Sequence, residues 1–449
     1  VPLSVADLHP ALHDLFFDTA DDLARDAGFV RRRRALTGSV FARAVVFTLL
    51  RTPAATLEGY ADFAADHLGV GVTPNAFDQR FTPAAAAFLG GLLAAAMDRA
   101  PAPARPNLLP VLRRFAGVYL RDATTVHLPG RLAGDFPARA GKNRAPAAAV
   151  KVVLEQEVTT GAFTALAVVA AAVNDKAADV SDGPLPAGAL LLEDMGFFAG
   201  GRLKHYAGQG VYVLTRAPAS TAFFDEAGAR IDLAAWLGRA GGSYLDRPVR
   251  ILHDAKLAVR LLAVRLPDDV ARARRDRVVR DAAKRRRPVR PAKLALCAWH
   301  VLVTTAPAEV LSAYEAWAIR SVRWQVELVF KGFKSDGGLE RTNARTAARV
   351  LAEVYGKLLA QVVQQWVLLA AGYVPLRHNA RRLTRRVRAL AGAIVAALGS
   401  AAGLGRQVRQ VARWLGRCRV AAKPGDPSTF ERLAVHDYEF RVLEQRGET

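Results

Sequence analysis

The sequence predicts an α/β chain with a mixed sheet at its centre, flanked by helices and with helical segments before and after it. Three observations lead there. Apolar residues recur at helical spacing from the N-terminus to about residue 105. A proline-spaced stretch, Pro101 to Pro110, then ends that pattern. Short β-prone runs follow it, first in hairpin order and then alternating with helical segments.

In the first part the apolar stripe runs through Val40, Ala44, Phe47 and Leu50, and again from Ala84 to Met97. Thr37-Gly38-Ser39, Arg51-Thr52-Pro53 and Val72-Thr73-Pro74-Asn75 punctuate it as turns and caps. Arg31 to Arg34 put positive charge at the entry to a helix, so residues 1–105 read as a helical DNA-binding domain, although many helical bundles share this pattern. Strands are expected at Phe115 to Leu120, Val150 to Gln156 and Phe163 to Val169, with Thr159-Thr160-Gly161 turning between the last two. Ala189 to Leu192 and Gly210 to Leu214 read as strands on either side of a helix over Phe198 to Ala207, which takes the first part of the core to residues 106–216. Residues 217–305 form a β-rich insertion, with strand-like runs at Val249 to Leu252, Leu257 to Leu266 and Leu294 to Thr305. The Arg/Lys-dense stretch from Arg272 to Arg290 reads there as a basic, solvated loop placed to contact DNA. Two long helices, Ser312 to Lys334 and Thr346 to Tyr373, complete the core over residues 306–375, and residues 376–449 form a basic helical tail.

Charge narrows the function. The chain has 63 Lys and Arg against 41 Asp and Glu, a net charge of +22, on an ordinary globular composition. A pI near 10.7 calls for a polyanionic partner. A GC-rich genome explains Arg in preference to Lys, but not the excess of base over acid. Ala389 to Gly405 and Leu358 to Tyr373 are too short and too poor in strongly apolar residues to cross a bilayer, and the N-terminus shows no basic region followed by an apolar run. No membrane partner and no secretory signal are therefore expected. Cys297 and Cys418 are too few for a disulfide framework or a zinc knuckle, which fits a reducing bacterial cytoplasm. HExxH, P-loop and strand-GxGxxG patterns are absent, and His127, His205, His253 and His300 read as structural or surface residues.

The chemistry concentrates in Arg320 to Lys334, RSVRWQVELVFKGFK. On one continuous helix Arg323, Glu327, Lys331 and Lys334 share a stripe, and Trp324, Leu328 and Phe333 fall toward the other side, where they can pack into the core. A lone carboxylate among cations suits a site that binds metal and phosphate together; it also suits an exposed helix with i,i+4 ion pairs.

This segment resembles the Tyr-x2-Arg-x3-Glu-x6-Lys signature of insertion-sequence-four type DDE transposases, with Arg323, Glu327 and Lys334 at its Arg, Glu and Lys. Arg320 stands at the Tyr position, a departure that replaces an aromatic hydroxyl with a cation able to contact phosphate. The resemblance calls for two aspartates at strand ends. Asp122 follows FAGVYL and Asp194 follows ALLL, and Lys151, Thr160-Gly161 and Arg216 fit the general pattern. Singly, Asp122 reads as a strand-end turn residue and Asp194 as a helix cap. Adjacent Glu193 should face the other way from Asp194.

The resemblance implies an RNase H-like core in which Asp122, Asp194 and Glu327 hold two Mg²⁺ ions, with Mn²⁺ able to substitute. Three carboxylates suit a hard ion that prefers oxygen ligands. Arg320, Arg323, Lys331 and Lys334 would contact DNA, and Trp299 would stack on a displaced base, unless it is simply a core tryptophan. It implies cut-and-paste transposition, with hydrolysis at the terminal inverted repeats followed by attack of the freed 3′-OH on target DNA. A homodimer would form the synaptic complex, and the protein would work in the bacterial cytoplasm on the nucleoid. The alternative is a degenerate or repurposed transposase that only binds DNA, an idea Arg320 keeps open.

Overall fold

The computed structural model describes residues 3–32, 34–101, 103–104, 109–138, 147–173, 183–240, 242–252, 257–420 and 428–434. Half of the Pro101 to Pro110 stretch, His253 and most residues beyond 420 therefore lie outside the described residues. The chain divides into two compact units, residues 1–108, 121–181 and 324–422 in the first, and 109–120, 182–323 and 423–449 in the second.

The first unit is built on helices. Five of them, Val5–Phe16, Gly38–Arg51, Leu57–Leu68, Pro74–Arg80 and Pro83–Asp98, begin at Ser4, Thr37, Thr56, Thr73 and Thr82, whose hydroxyls each accept a first-turn backbone N–H. Such a cap contributes about 1 kcal/mol and explains why the helices start at these positions. The helix Ala347–Ala370, capped by Thr346, runs through this bundle against Gly38–Arg51 and Pro83–Asp98. The approach is close at Gly356, where a Cβ would come within 2.9 Å of Leu49 and Val45.

Three strands lie in the order β3-β2-β1: β1 (Val118–Leu128, in this unit from Arg121), β2 (Ala148–Glu157) and β3 (Phe163–Ala170). β2 and β3 pair antiparallel with Leu154 opposite Leu166, and Gly161 takes φ +83° in the turn between them. The Glu157 carboxylate accepts from the hydroxyls of Thr159 and Thr160 and from the Thr160 N–H, each at 2.7 Å, so this TTG turn is held from within. Every residue of β2 is buried. Glu155 on that strand forms a buried ion pair with Arg121 of β1, and also accepts from Thr164 of β3.

The second unit carries the strand order β4-β5-β10-β9-β8-β6-β7: β4 (Leu190–Glu193), β5 (Tyr212–Arg216), β6 (Phe223–Phe224), β7 (Arg230–Ile231), β8 (Tyr244–Ile251), β9 (Leu257–Arg265) and β10 (Trp299–Thr304). β4 and β5 are parallel across the helix Gly200–Gly208, and the remaining pairs are antiparallel, so parallel and antiparallel ladders mix as the sequence predicts. The strands of the insertion extend the ladder through β10, which lies between β5 and β9. Its apolar side gathers Leu191, Leu203, Tyr206, Val213, Leu261 and Val303.

Three expectations change. Leu294 to Ala298, expected to open a strand reaching Thr305, forms helical turns, Pro291–Ala295 and Leu296–Ala298, and the strand begins at Trp299. The basic stretch after β9 is a 17-residue helix, Asp268–Lys284, because Ala, Arg and Lys favour helix and Asp268 and Asp269 sit at its positive end. The helix expected over Ser312 to Lys334 is broken into Ala313–Arg320, a 3₁₀ turn Ser321–Arg323, Trp324–Lys331 and a π turn Gly332–Asp336. Ser321 Oγ donates to the Ala318 carbonyl at 2.6 Å, a back-bond that competes with the helical ladder at the break. No single helix among the described residues is long and apolar enough to cross a membrane.

The Arg121–Glu155 pair gives a test of the first unit. Glu155→Ala leaves a guanidinium 1% exposed without its carboxylate, and should lower stability by about 3–5 kcal/mol. The readout is the urea midpoint at unchanged m. A loss below about 1 kcal/mol would show that Arg121 finds compensation elsewhere.

Candidate active site

Asp122 lies inside β1, not after it: Thr124, Thr125 and Val126, all β-branched, carry the strand on to Leu128. The carboxylate is part-buried, and its Oδ1 accepts from the Ala123 N–H at 2.8 Å. Asp194 directly follows β4 and opens the 3₁₀ turn Met195–Phe197, yet its side chain makes no capping hydrogen bond. The capping role open to it from sequence is therefore not realised. Glu193 before it is buried and paired with Arg202, while Asp194 is part-exposed.

Glu327 sits part-buried on Trp324–Lys331, beside a core stripe of Val326, Phe330 and Phe333. That stripe overturns the expected packing of Trp324 and Leu328, which are 56% and 45% exposed; of the three apolar residues proposed for the core side, Phe333 alone is there. The helical break resets the phase of the wheel after Arg323, so positions i, i+4 and i+7 from Val326 face inward. Trp299 is also corrected. It is on β10 within the apolar core of the second unit, 9% exposed, and is not presented for base stacking.

Of the four candidate DNA contacts, Lys331 is exposed and Arg320 and Arg323 are part-buried. Lys334 is already engaged. Its ammonium donates to the Thr125 carbonyl at 2.6 Å and pairs with Glu340 at 3.1 Å, while Glu340 accepts from the His127 N–H at 3.2 Å. Phe333 meets Phe163 of β3 edge-on, at 5.8 Å between ring centroids. The segment after Glu327 is thus tied to β1 three residues beyond Asp122.

The second unit collects cations about Arg320. Burial foremost, then the neighbouring Arg216, Arg323 and Arg274, draw the Arg320 guanidinium down to about 9, with Asp194 opposing. His300 of β10 is held well below its ordinary value by burial and then by Arg320, Arg216 and Arg274. Arg216 ends β5 opposite Leu302 of β10, and Arg274 reaches the Trp299 carbonyl at 3.4 Å from Asp268–Lys284. The enclosed Nε of Arg320 and Nε2 of His300 have no hydrogen-bond partner. Positive groups in this density, with donors unmet, suit an anion with several acceptor oxygens. Sequence reasoning noted Arg216 only as fitting a pattern, and missed Arg274 and His300. The one available signal for Arg274 was its place in the basic run.

Among the described residues no group of three or more His, Cys, Asp or Glu is placed to hold a metal ion. Asp122 and Glu327 belong to the first unit and Asp194 to the second.

A model of the family described as the transposase DDE domain matches residues 113–363, more than half the chain. The chain belongs to the DDE transposase family. Among known relatives of this family member, the transposase for insertion sequence element IS231B of Bacillus thuringiensis subsp. berliner is 23% identical over 384 residues, covering 81% of this chain and 80% of the relative. The IS231D transposase of Bacillus thuringiensis subsp. finitimus is 24% identical over 367 residues, covering 78% and 76%. The IS1151 transposase of Clostridium perfringens is 21% identical over 397 residues, covering 81% and 80%. A cryo-EM structure of the piggyBac transposase synaptic complex with hairpin DNA aligns over 93% of this chain and 87% of that one, at 9% identity and a TM-score of 0.43, too low to assign the fold by itself.

The cationic surroundings of His300 make a pH test. Its proton affinity is lowered in the folded chain, so below its ordinary value of 6.5 the unfolded chain takes up a proton that the folded one refuses. Stability should therefore fall as pH drops from about 6.5 toward 5, by up to about 1.4 kcal/mol per pH unit from this group. His300→Phe should flatten that part of the profile, measured as urea midpoint against pH; an unchanged slope would mean His300 is protonated in the fold.

Proposed function

We propose that this DDE-family chain is the transposase of a bacterial insertion sequence, cutting DNA at the element's terminal inverted repeats and joining the freed 3′ ends to target DNA. The observation that carries the reading is the gathering of arginines about the enclosed Arg320, with Asp194 beside it, a site that wants a phosphate and lies inside the stretch the family model matches. Relatives that are insertion-sequence transposases over some four-fifths of both lengths support it.

Asp122, Asp194 and Glu327 are assigned as the metal-holding set. Their chemistry fits a hard divalent ion: oxygen donors alone, each part-exposed, one of them at a turn whose N–H groups it leaves uncapped. When bound, a pair of Mg²⁺ ions, or Mn²⁺ in their place, would supply Lewis-acid stabilisation to the attacking and leaving oxygens. Arg320 and Arg323 grip the phosphate next to the scissile bond, with Arg216 and Arg274 reinforcing the positive field on it. Arg320 gives up the tyrosine hydroxyl of the signature group but gains a fork of donors matched to phosphate. Lys331 meets a neighbouring phosphate from the exposed side of the Glu327 helix. Lys334 either fixes that segment to β1, as it is bonded here, or shifts to phosphate when DNA enters.

The β2–β3 hairpin with β1 and the parallel pair β4–β5 are read as parts of an RNase H-like core, residues 217–305 as its insertion and residues 1–105 as a DNA-binding portion. A synaptic homodimer working on the nucleoid completes the reading.

The test is strand cleavage of linear DNA carrying the element's terminal repeats, with Mg²⁺ and with EDTA. Wild type should cut at the repeat boundary only with the metal. Glu327→Ala and Asp194→Ala should abolish cutting with DNA binding retained, and Arg320→Ala should slow it by about a hundredfold, the loss typical of one donor at a developing charge. Binding without cleavage by wild type, in Mg²⁺ or Mn²⁺, would overturn the reading in favour of a DNA-binding protein.

A further inference from the structure

From residue 377 to residue 419 the chain has eleven arginines and no aspartate or glutamate. The structure puts eight of these arginines on two helices of the first unit, Ala380–Ala389 and Ala401–Ala412, and the turn Leu415–Cys418, with Arg413 directly following the second helix. On the first helix Leu383, Thr384 and Val387 face inward, and Arg381, Arg382, Arg385 and Arg386 are exposed. On the second, Leu404, Val408 and Val411 are buried, and Arg406, Arg409 and Arg413 follow one exposed stripe at i, i+3 and i+7. The other side of this helix packs on Val5–Phe16, where Gly405 approaches Val5.

The two exposed faces meet at Trp414. The Arg386 guanidinium lies 3.5 Å from the centre of its ring, and that of Arg417 lies 5.3 Å from the same centre. Two arginines of this region have structural work. Arg381 pairs with Asp336, and Arg388 donates to the carbonyls of Leu50, Arg51 and Asp336. Among the described residues Arg382, Arg385, Arg386, Arg409, Arg413 and Arg417 make no ion pair.

A solvated helix face ordinarily mixes both signs, because like charges at i,i+4 repel by a few tenths of a kcal/mol each. Genome composition sets Arg against Lys; it does not remove every acid from 43 residues. Like charges held this close, two of them on one indole, are relieved by a polyanion laid across both helices. We infer that this face binds the phosphate backbone of duplex DNA without regard to sequence. The inference rests on DNA being the substrate, but uses none of the residues assigned to cleavage.

The test is equilibrium binding to two duplexes in EDTA, one with the terminal repeats and one unrelated, over 50–200 mM salt, alongside the cleavage assay in Mg²⁺. A variant carrying Arg382→Gln, Arg385→Gln and Arg413→Gln should reduce the slope of log K against log salt by about 2 to 3 on both duplexes, close to 0.9 per lost phosphate contact. The same three positions changed to Lys should keep the wild-type slope, which a merely structural role for arginine would not predict. If the triple variant melts early, Arg413→Gln alone should lower the slope by about 0.9. An unchanged slope in a variant that melts like wild type overturns the inference, as does a reduction confined to the terminal-repeat duplex. With wild type still cutting, either result leaves the transposase reading standing. A wild type that binds no duplex overturns both.

Discussion

Guanidinium groups taken out of water have to be matched by carboxylates, since one left uncompensated costs several kcal/mol. A chain of net charge +22 meets this constraint repeatedly. It is met at Arg121 with Glu155 between β1 and β2, at Arg202 with Glu193 at the end of β4, and at Arg349 with Glu353 and Asp78, which ties the long helix to Pro74–Arg80. Arg121 and Arg202 each consume one acid, and Arg349 consumes two. Those acids are unavailable for anything else. Glu193 is the clear case: locked to Arg202, it leaves its neighbour Asp194 as the part-exposed carboxylate after the strand.

About Arg320 the balance is reversed. Among the described residues Arg216 and Arg274 come to the enclosed Arg320 with Asp194 opposing them, and burial together with that excess of charge lowers the Arg320 value. Repulsion among them raises the energy of the free protein, and an arriving phosphate lowers it. Pairing therefore separates structural arginines from candidate functional ones, a distinction that residue type alone does not make. By the same criterion Lys334 is structural as it stands, with its ammonium shared between Thr125 and Glu340. The π turn that carries it is pinned at its far end by Arg381 and Arg388 on Asp336. The segment following Glu327 is thus clamped from two sides, and irregular helical turns of this kind recur at functional sites.

Much of this was legible in the sequence. The Thr caps, the TTG turn, the hairpin and the strand before Asp194 follow from local chemistry: a hydroxyl before a helix, a glycine able to take positive φ, and β-branched runs. The strands of the insertion were legible in part: β8, β9 and the body of β10 were expected, while Leu294 to Ala298 is helical and the place of these strands in the ladder beside β5 was not legible. What failed was phase. One back-bond from Ser321 breaks the helix expected to run unbroken to Lys334, and a shift of a fraction of a turn moves Trp324 and Leu328 from core to solvent. Periodicity assumes continuity and cannot report where it is lost. Trp299 was undecidable for a related reason, because a strand tryptophan packs or stacks according to which layer covers it.

The sequence by itself determined the elements, the charge, the order of three acids and a spaced Arg/Glu/Lys signature, and these rest on neighbours within about one helical turn or strand. Only the tertiary structure decided which cations are paired off and which are gathered. Arg274 comes to Arg216 and Arg320 from a helix that propensity places and packing aims, across more than forty residues of chain on either side. Local sequence fixes backbone preference over a few residues. Burial and Coulomb interaction depend on distances that close only when the chain is folded.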